Sequence, residues 1–159
     1  MVLVVDASAN MGYVAVDGAG RKWSSCVGFA AMLAALAVRQ GDRVGAAFGR
    51  GDACSLACAR PSGSRDRVRA LAHELAQAPT GGCPWTPLLS GVGPLLPRRS
   101  LVIVLSDFLD PEPARAGADE WLSSALAQLA ARGHELLLVQ VLDRDELEFP
   151  WMDGRLRRF

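Results

Sequence analysis

No stretch of this 159-residue sequence is apolar for long enough to cross a bilayer. Its longest apolar runs are of strand length, far short of the ~18 to 20 residues a membrane helix needs, so no membrane segment is expected. The N-terminus lacks a basic region leading into an apolar stretch and a small-residue cleavage site, which leaves no secretory signal to read. An excess of one charge is missing too. Lysine plus arginine and aspartate plus glutamate each number 17, and this balance lacks the basic excess that holds a nucleic acid. The local clusters Arg65/Arg67/Arg69 and Arg155/Arg157/Arg158 read as solvated faces.

Signatures of catalysis are absent as well. A dinucleotide enzyme would carry Gly-x-Gly-x-x-Gly directly after its first strand, whereas Gly18-Ala19-Gly20 comes too late and has no third glycine. No Gly-x-Ser-x-Gly nucleophile elbow occurs. A haloacid-dehalogenase-like phosphatase needs a second aspartate two residues after the first, and that position holds Ser8. The two histidines, His73 in an amphipathic helix and His134 in a helix-to-strand turn, read as surface or capping residues. Cys26, Cys54, Cys58 and Cys83 form no Cys-x2-Cys or His-paired zinc pattern. With no secretory signal they are expected to be reduced thiols of a cytoplasmic protein, Cys54 and Cys58 packed on one face of a strand.

What is present begins with Val2-Leu3-Val4-Val5, apolar on both sides of the pleat, as in a central parallel strand covered on both faces. Asp6, Ser8 and Asn10 follow it at every second position. Leu101-Val102-Ile103-Val104-Leu105 repeats the pattern and ends in Ser106-Asp107, and Leu136 to Val141 is a third apolar strand. Val44 to Phe48 supplies another strand, and 53–59 an antiparallel edge strand before Pro61. Helices are predicted over Trp23 to Arg39, apolar almost all round and therefore buried, from a Ser64 cap through Leu75, from Thr86-Pro87 and from Asp119. Residues 155–159 are expected to add one more edge strand.

The alternation predicts a single α/β domain over 1–159 with a doubly wound, mostly parallel sheet of about six strands, helices on both faces and one antiparallel edge strand. Because the chain opens directly in a central strand, it is expected to be a fragment of a longer protein. Both aspartates then reach the carboxyl edge of the sheet, where open α/β sheets place their ligands. The residue 81–86 loop is expected to run over them. Two carboxylates with hydroxyls and no soft donor suit a hard divalent cation, Mg²⁺ first and Mn²⁺ or Ca²⁺ next. The competing reading of each residue alone is a helix cap or a turn former.

The same residues carry a resemblance. Asp6-Ala7-Ser8-Ala9-Asn10-Met11 resembles the Asp-x-Ser-x-Ser motif of von Willebrand factor A domains, with Thr86 and Asp107 in the places of that family's threonine and second aspartate. Residues 39–45, 106–110, 132–135 and 139–143 are similar to one bacterial branch, the domain-of-unknown-function 58 family. The resemblance implies a metal-ion-dependent adhesion site, with Ser8 and Thr86 as direct ligands of Mg²⁺ or Mn²⁺ and Asp6 and Asp107 as inner or water-mediated acceptors. Asn10 stands where the family has a second serine, and its amide oxygen can still face the ion. A partner's acidic side chain would complete the shell. The implied function is a non-enzymatic adaptor, with a MoxR-type AAA+ ATPase as partner. The alternatives are a structural module with a vestigial metal site and, less favoured, a metal-dependent hydrolase. Trp85 and Trp151 are read either as exposed partner anchors or as core.

Overall fold

A computed structural model describes residues 1–14, 22–51, 53–109 and 118–148. Five strands form one sheet among these residues: β1 (Val2–Asp6), β2 (Gly45–Arg50), β3 (Ala53–Ser55), β4 (Leu101–Ser106) and β5 (Glu135–Gln140), in the order β3-β2-β1-β4-β5. All neighbours are parallel except β2 and β3, which pair antiparallel at the edge expected for the Ala53 segment. The sixth strand predicted at 155–159, the basic residues Arg155, Arg157 and Arg158, and Trp151 lie outside the described residues. No helix among the described residues is long and apolar enough to cross a membrane.

Side-chain alternation along β1 builds two cores. Leu3 and Val5 face one of them, with Cys26, Ala30 and Ala34 of α1 (Lys22–Arg39) and Leu71 and Leu75 of α2 (Arg65–Leu75). Val2 and Val4 face the other, with Leu88, Leu89 and Val92 of α3 (Trp85–Val92) and Leu129 of α4 (Ala118–Ala131). Since successive strand residues point to opposite faces, β1 is covered on both sides, which is what a run of four apolar residues requires. Ser64 caps α2 as its sequence foretold, its hydroxyl accepting from the Arg67 amide at 3.2 Å. Gly41 and Gly133, past the ends of α1 and α4, take left-handed φ angles of 82° and 81°.

Two expectations are corrected, for helix α1 and for the cysteine pair. Helix α1 buries only one stripe, Cys26, Ala30, Ala34 and Ala37, besides Lys22. Its small residues face the sheet, and Phe29, Met32 and Leu36 lie exposed on the outer face. Strand β5 forms where the third apolar run was read; among the described residues it has β4 as its one strand neighbour, and Leu137 and Leu138 are about half exposed. Cys58 is buried, but β3 ends at Ser55, so Cys54 and Cys58 do not share a strand face. A short helix the sequence reading did not include, α5 (Arg144–Glu148), follows β5.

Candidate functional site

The strand order reverses direction between β1 and β4, so the crevice at their carboxyl ends is the place where an α/β sheet opens for a ligand. Three segments are zipped together there by backbone hydrogen bonds. Ala7 N–H donates to the Gly49 carbonyl, Thr80 N–H to the Ala7 carbonyl, Ala9 N–H to the Gly81 carbonyl and Gly51 N–H to the Thr80 carbonyl, all between 2.7 and 2.9 Å. Thr80 and Gly81 therefore cross the edge, so the crossing lies at the start of the expected 81–86 loop, whose last two residues belong to α3. Gly81 makes the crossing possible: its φ is +58°, and a Cβ there would lie 2.5 Å from the Gly51 Cα.

Asp6 ends β1 on the same side of the sheet as Val2 and Val4, and Ser106 ends β4 on that side next to it. The Ser106 hydroxyl donates to Asp6 Oδ2 and accepts from the Phe108 amide at 2.9 Å. Asp6 Oδ1 accepts from the Ser8 amide at 2.9 Å. All three side chains are fully buried. Burial pushes the Asp6 carboxyl above the usual aspartate range, while the Ser106 hydroxyl and the Ser8 amide and hydroxyl pull it back and the charge of Asp107 pushes it further up. The Ser8 hydroxyl lies close enough to this carboxylate to pull its pKa down, yet it meets hydrogen-bond geometry with no partner.

Asp107, the residue after β4, turns toward the α1 side. Its Oδ1 accepts from the Leu109 amide at 2.9 Å and its Oδ2 from the Lys22 ammonium at 2.6 Å. Lys22 opens α1, and its side chain, like that of Asp107, is entirely buried. The ammonium also reaches Glu146 Oε1 at 2.8 Å. Burial alone would lower the Lys22 pKa, but the hydrogen bonds and charges of Asp107 and Glu146 outweigh it and hold it above the ordinary lysine value. Glu146 is held in turn by the start of α5. Its Oε2 accepts from the Asp143 amide at 2.7 Å while Asp143 Oδ1 accepts from the Asp145 amide at 3.2 Å, a reciprocal cap.

Of the residues expected at a cation site, Asp6, Ser8 and Asp107 come together. The others do not join them in the buried cluster. Asn10 is exposed in the 3-10 turn over Ala9–Gly12, and Thr86 is exposed in the first turn of α3, facing the groove that Ser124 and Gln128 of α4 and Arg132 just past it also line. The expectation of Trp85 as an exposed anchor is corrected: it is 2% exposed and stacks on Phe108, ring centroids 6.1 Å apart. Phe108 holds a left-handed φ of 56°, and the stack braces the turn that carries Ser106 and Asp107.

Two residues of the site were missed. Lys22 is the only lysine among the 17 basic residues, all the others being arginine. That singularity was visible in the sequence. Asp143-Arg144-Asp145-Glu146 likewise carries the Asp-x-x-Glu spacing of a capping box.

As a cation site the donor set fits in part. Asp6 and the orphan Ser8 hydroxyl are hard oxygen donors lacking full compensation, as Mg²⁺ requires. Asp107 is already neutralised by Lys22. Among the described residues no group of three or more His, Cys, Asp or Glu side chains could hold a metal ion.

No curated protein matches the chain. Among solved structures, the crystal structure of an uncharacterized membrane spanning protein from Vibrio fischeri matches over 99% of this chain and 98% of its own, at 16% identity and a TM-score of 0.45. Residues 1–157 match the family described as Protein of unknown function DUF58, and the chain belongs to that family.

Proposed function

We propose that this chain is a doubly wound, von Willebrand A-like interaction domain without catalytic activity. Its carboxyl edge binds an acidic partner side chain through a divalent cation, Mg²⁺ or Mn²⁺, held by Asp6 and Ser8 with Asp107. The single observation that supports this is the Ser8 hydroxyl, fully buried beside a buried carboxylate and without a hydrogen-bond partner. An orphan buried hydroxyl costs roughly 1 to 3 kcal/mol, and a cation that accepts its lone pair removes that cost. A MoxR-type AAA+ ATPase is the partner the family resemblance supplies for this reading.

Calorimetric titration with Mg²⁺ and Mn²⁺, with melting curves in parallel, tests it. A cation that binds only the native state raises the melting temperature by linkage. Binding by the native chain and none by Asp6→Ala is the expected result. The reading falls if millimolar cation neither binds nor shifts the melt.

A second reading has its own support. Asp6, Ser8, Ser106 and Asp107 are all fully buried and Lys22 already neutralises Asp107, which suits a structural module that binds its partner elsewhere without an ion.

A further inference from the structure

Lys22 combines three features. It is the one lysine in a chain that otherwise uses arginine, its ammonium is fully buried, and it sits between carboxylates contributed by two different elements, Asp107 after β4 and Glu146 in α5. A guanidinium is planar and presents a fixed fork, whereas an ammonium is a compact point charge with tetrahedrally arranged donors. Of the basic side chains it is the nearer in shape to a bare metal ion. It also occupies one of the two carboxylates of the edge, while the orphan hydroxyl of Ser8 stands beside the other, Asp6, whose own pKa responds to the charge on Asp107.

We propose that Lys22 is the resident cation of this edge, and that a divalent ion competes with its ammonium for Asp107. The inference rests on the reading of the edge as a cation site. In the metal-free chain Lys22 neutralises Asp107 and Glu146, and Ser8 is left unpaired. When a divalent ion enters, Asp107 exchanges its ammonium partner for the ion and the Lys22 contact is released. Glu146 loses its ammonium partner in the same exchange while still capping α5 through Asp143, so occupancy of the edge is felt at that helix.

Having one lysine makes the exchange directly visible. With ¹⁵N placed selectively at lysine Nζ, the spectrum holds one ammonium signal. The buried, doubly paired Lys22 should give a signal protected from solvent exchange at neutral pH, and saturation with Mg²⁺ should shift or abolish it. Mn²⁺ calorimetry on Lys22→Met should then show affinity about tenfold or more above the native chain, the scale of removing one unit charge a few ångströms from the ion. Glu146→Gln leaves Lys22 and Asp107 in place but removes one anchor of the ammonium, and should raise affinity by a smaller factor. It serves as the second variant should Lys22→Met not fold. If the native chain binds Mg²⁺ in an Asp6-dependent way while the ammonium signal is unchanged and neither variant binds more tightly, competition is overturned and the cation site stands. If neither the native chain nor the variants bind a divalent ion, both fall.

Discussion

The ammonium of Lys22 and the carboxylate of Asp107 lie 2.6 Å apart at the carboxyl edge of the sheet, though 85 residues separate them in the chain, and neither side chain touches water. The contact ties the start of α1 to the end of β4. A buried pair of this kind is strongly asymmetric in energy. Forming it does little net work against the cost of desolvating two ions, but removing one partner strands the other.

Lys22→Met is therefore expected to cost about 3 to 5 kcal/mol, because Asp107 is left charged and buried. Adding Asp107→Asn should return much of the loss, since the amide oxygen can keep the Leu109 contact and position 107 no longer carries a buried charge. Denaturant unfolding of both singles and the double gives the coupling energy directly. A double variant as unstable as the sum of the singles would show that the two side chains do not interact.

Cys26 stands one helical turn beyond Lys22 and faces the core it shares with Leu3 and Val5. Burial, with the Asp6 charge added, pushes its thiol up to about 12. The thiolate is the reactive form, so alkylation at pH 8 should proceed only through unfolding. Cys54, half-buried and also raised by burial, is expected to react first. Mass spectrometry after a timed iodoacetamide pulse distinguishes the two, and rapid native-state labelling of Cys26 would contradict the packing of α1 on the sheet.

The parts of this architecture that were legible in the sequence are those written in local pattern. β1 and β4 announce themselves because a strand covered on both faces must be apolar at every position, and the polar residues that end such runs, Asp6 and Ser106-Asp107, are set at the sheet edge by the same logic. The exposure of β5 at the end of the described sheet was not legible, because an apolar run looks alike in the centre of a sheet and at its edge. Helix α1 misled for a related reason: its fully buried stripe is made of small residues, while Trp23, Val27, Leu33 and Val38 are only partly buried and Phe29, Met32 and Leu36 face out. The partner of Asp107 could not be read from spacing at all, since the link is non-local. The resemblance placed Asp6, Ser8 and Asp107 at one site, which the structure brings together. It also included Thr86, yet the helix that begins at Trp85 leaves Thr86 exposed.

Two glycines separate backbone freedom from close approach. A Cβ on Gly45 in β2 would lie 2.4 Å from the Ala59 carbonyl oxygen, a backbone atom that cannot swing aside, so Gly45→Ala should destabilise by about 1 to 3 kcal/mol, the usual scale of overpacking. Gly28 in α1 meets nothing within 4 Å, and Gly28→Ala should stabilise by about 0.5 to 1 kcal/mol through helix propensity. Paired thermal melts give opposite signs if β2 and α1 are seated as described.

Asp6 makes the edge sensitive to pH in the metal-free chain. Its folded pKa is raised, by burial first and by the charge of Asp107 as well, so between the ordinary aspartate value and the raised one the native state holds a proton that the unfolded chain has lost. Stability falls with pH wherever the native state binds more protons. The contribution of Asp6 is thus fully present below the ordinary aspartate pKa, about 3.9, and is lost as pH rises through the raised value. Asp6→Asn removes this term while adding a constant offset for the altered contacts with Ser8 and Ser106. In the presence of chelator, the stability of the native chain minus that of Asp6→Asn should therefore decline with rising pH and then level off. A difference that is flat, or that climbs with pH, would mean that the Asp6 carboxylate is compensated in the folded chain, and the case for a cation at this edge would lose its electrostatic basis.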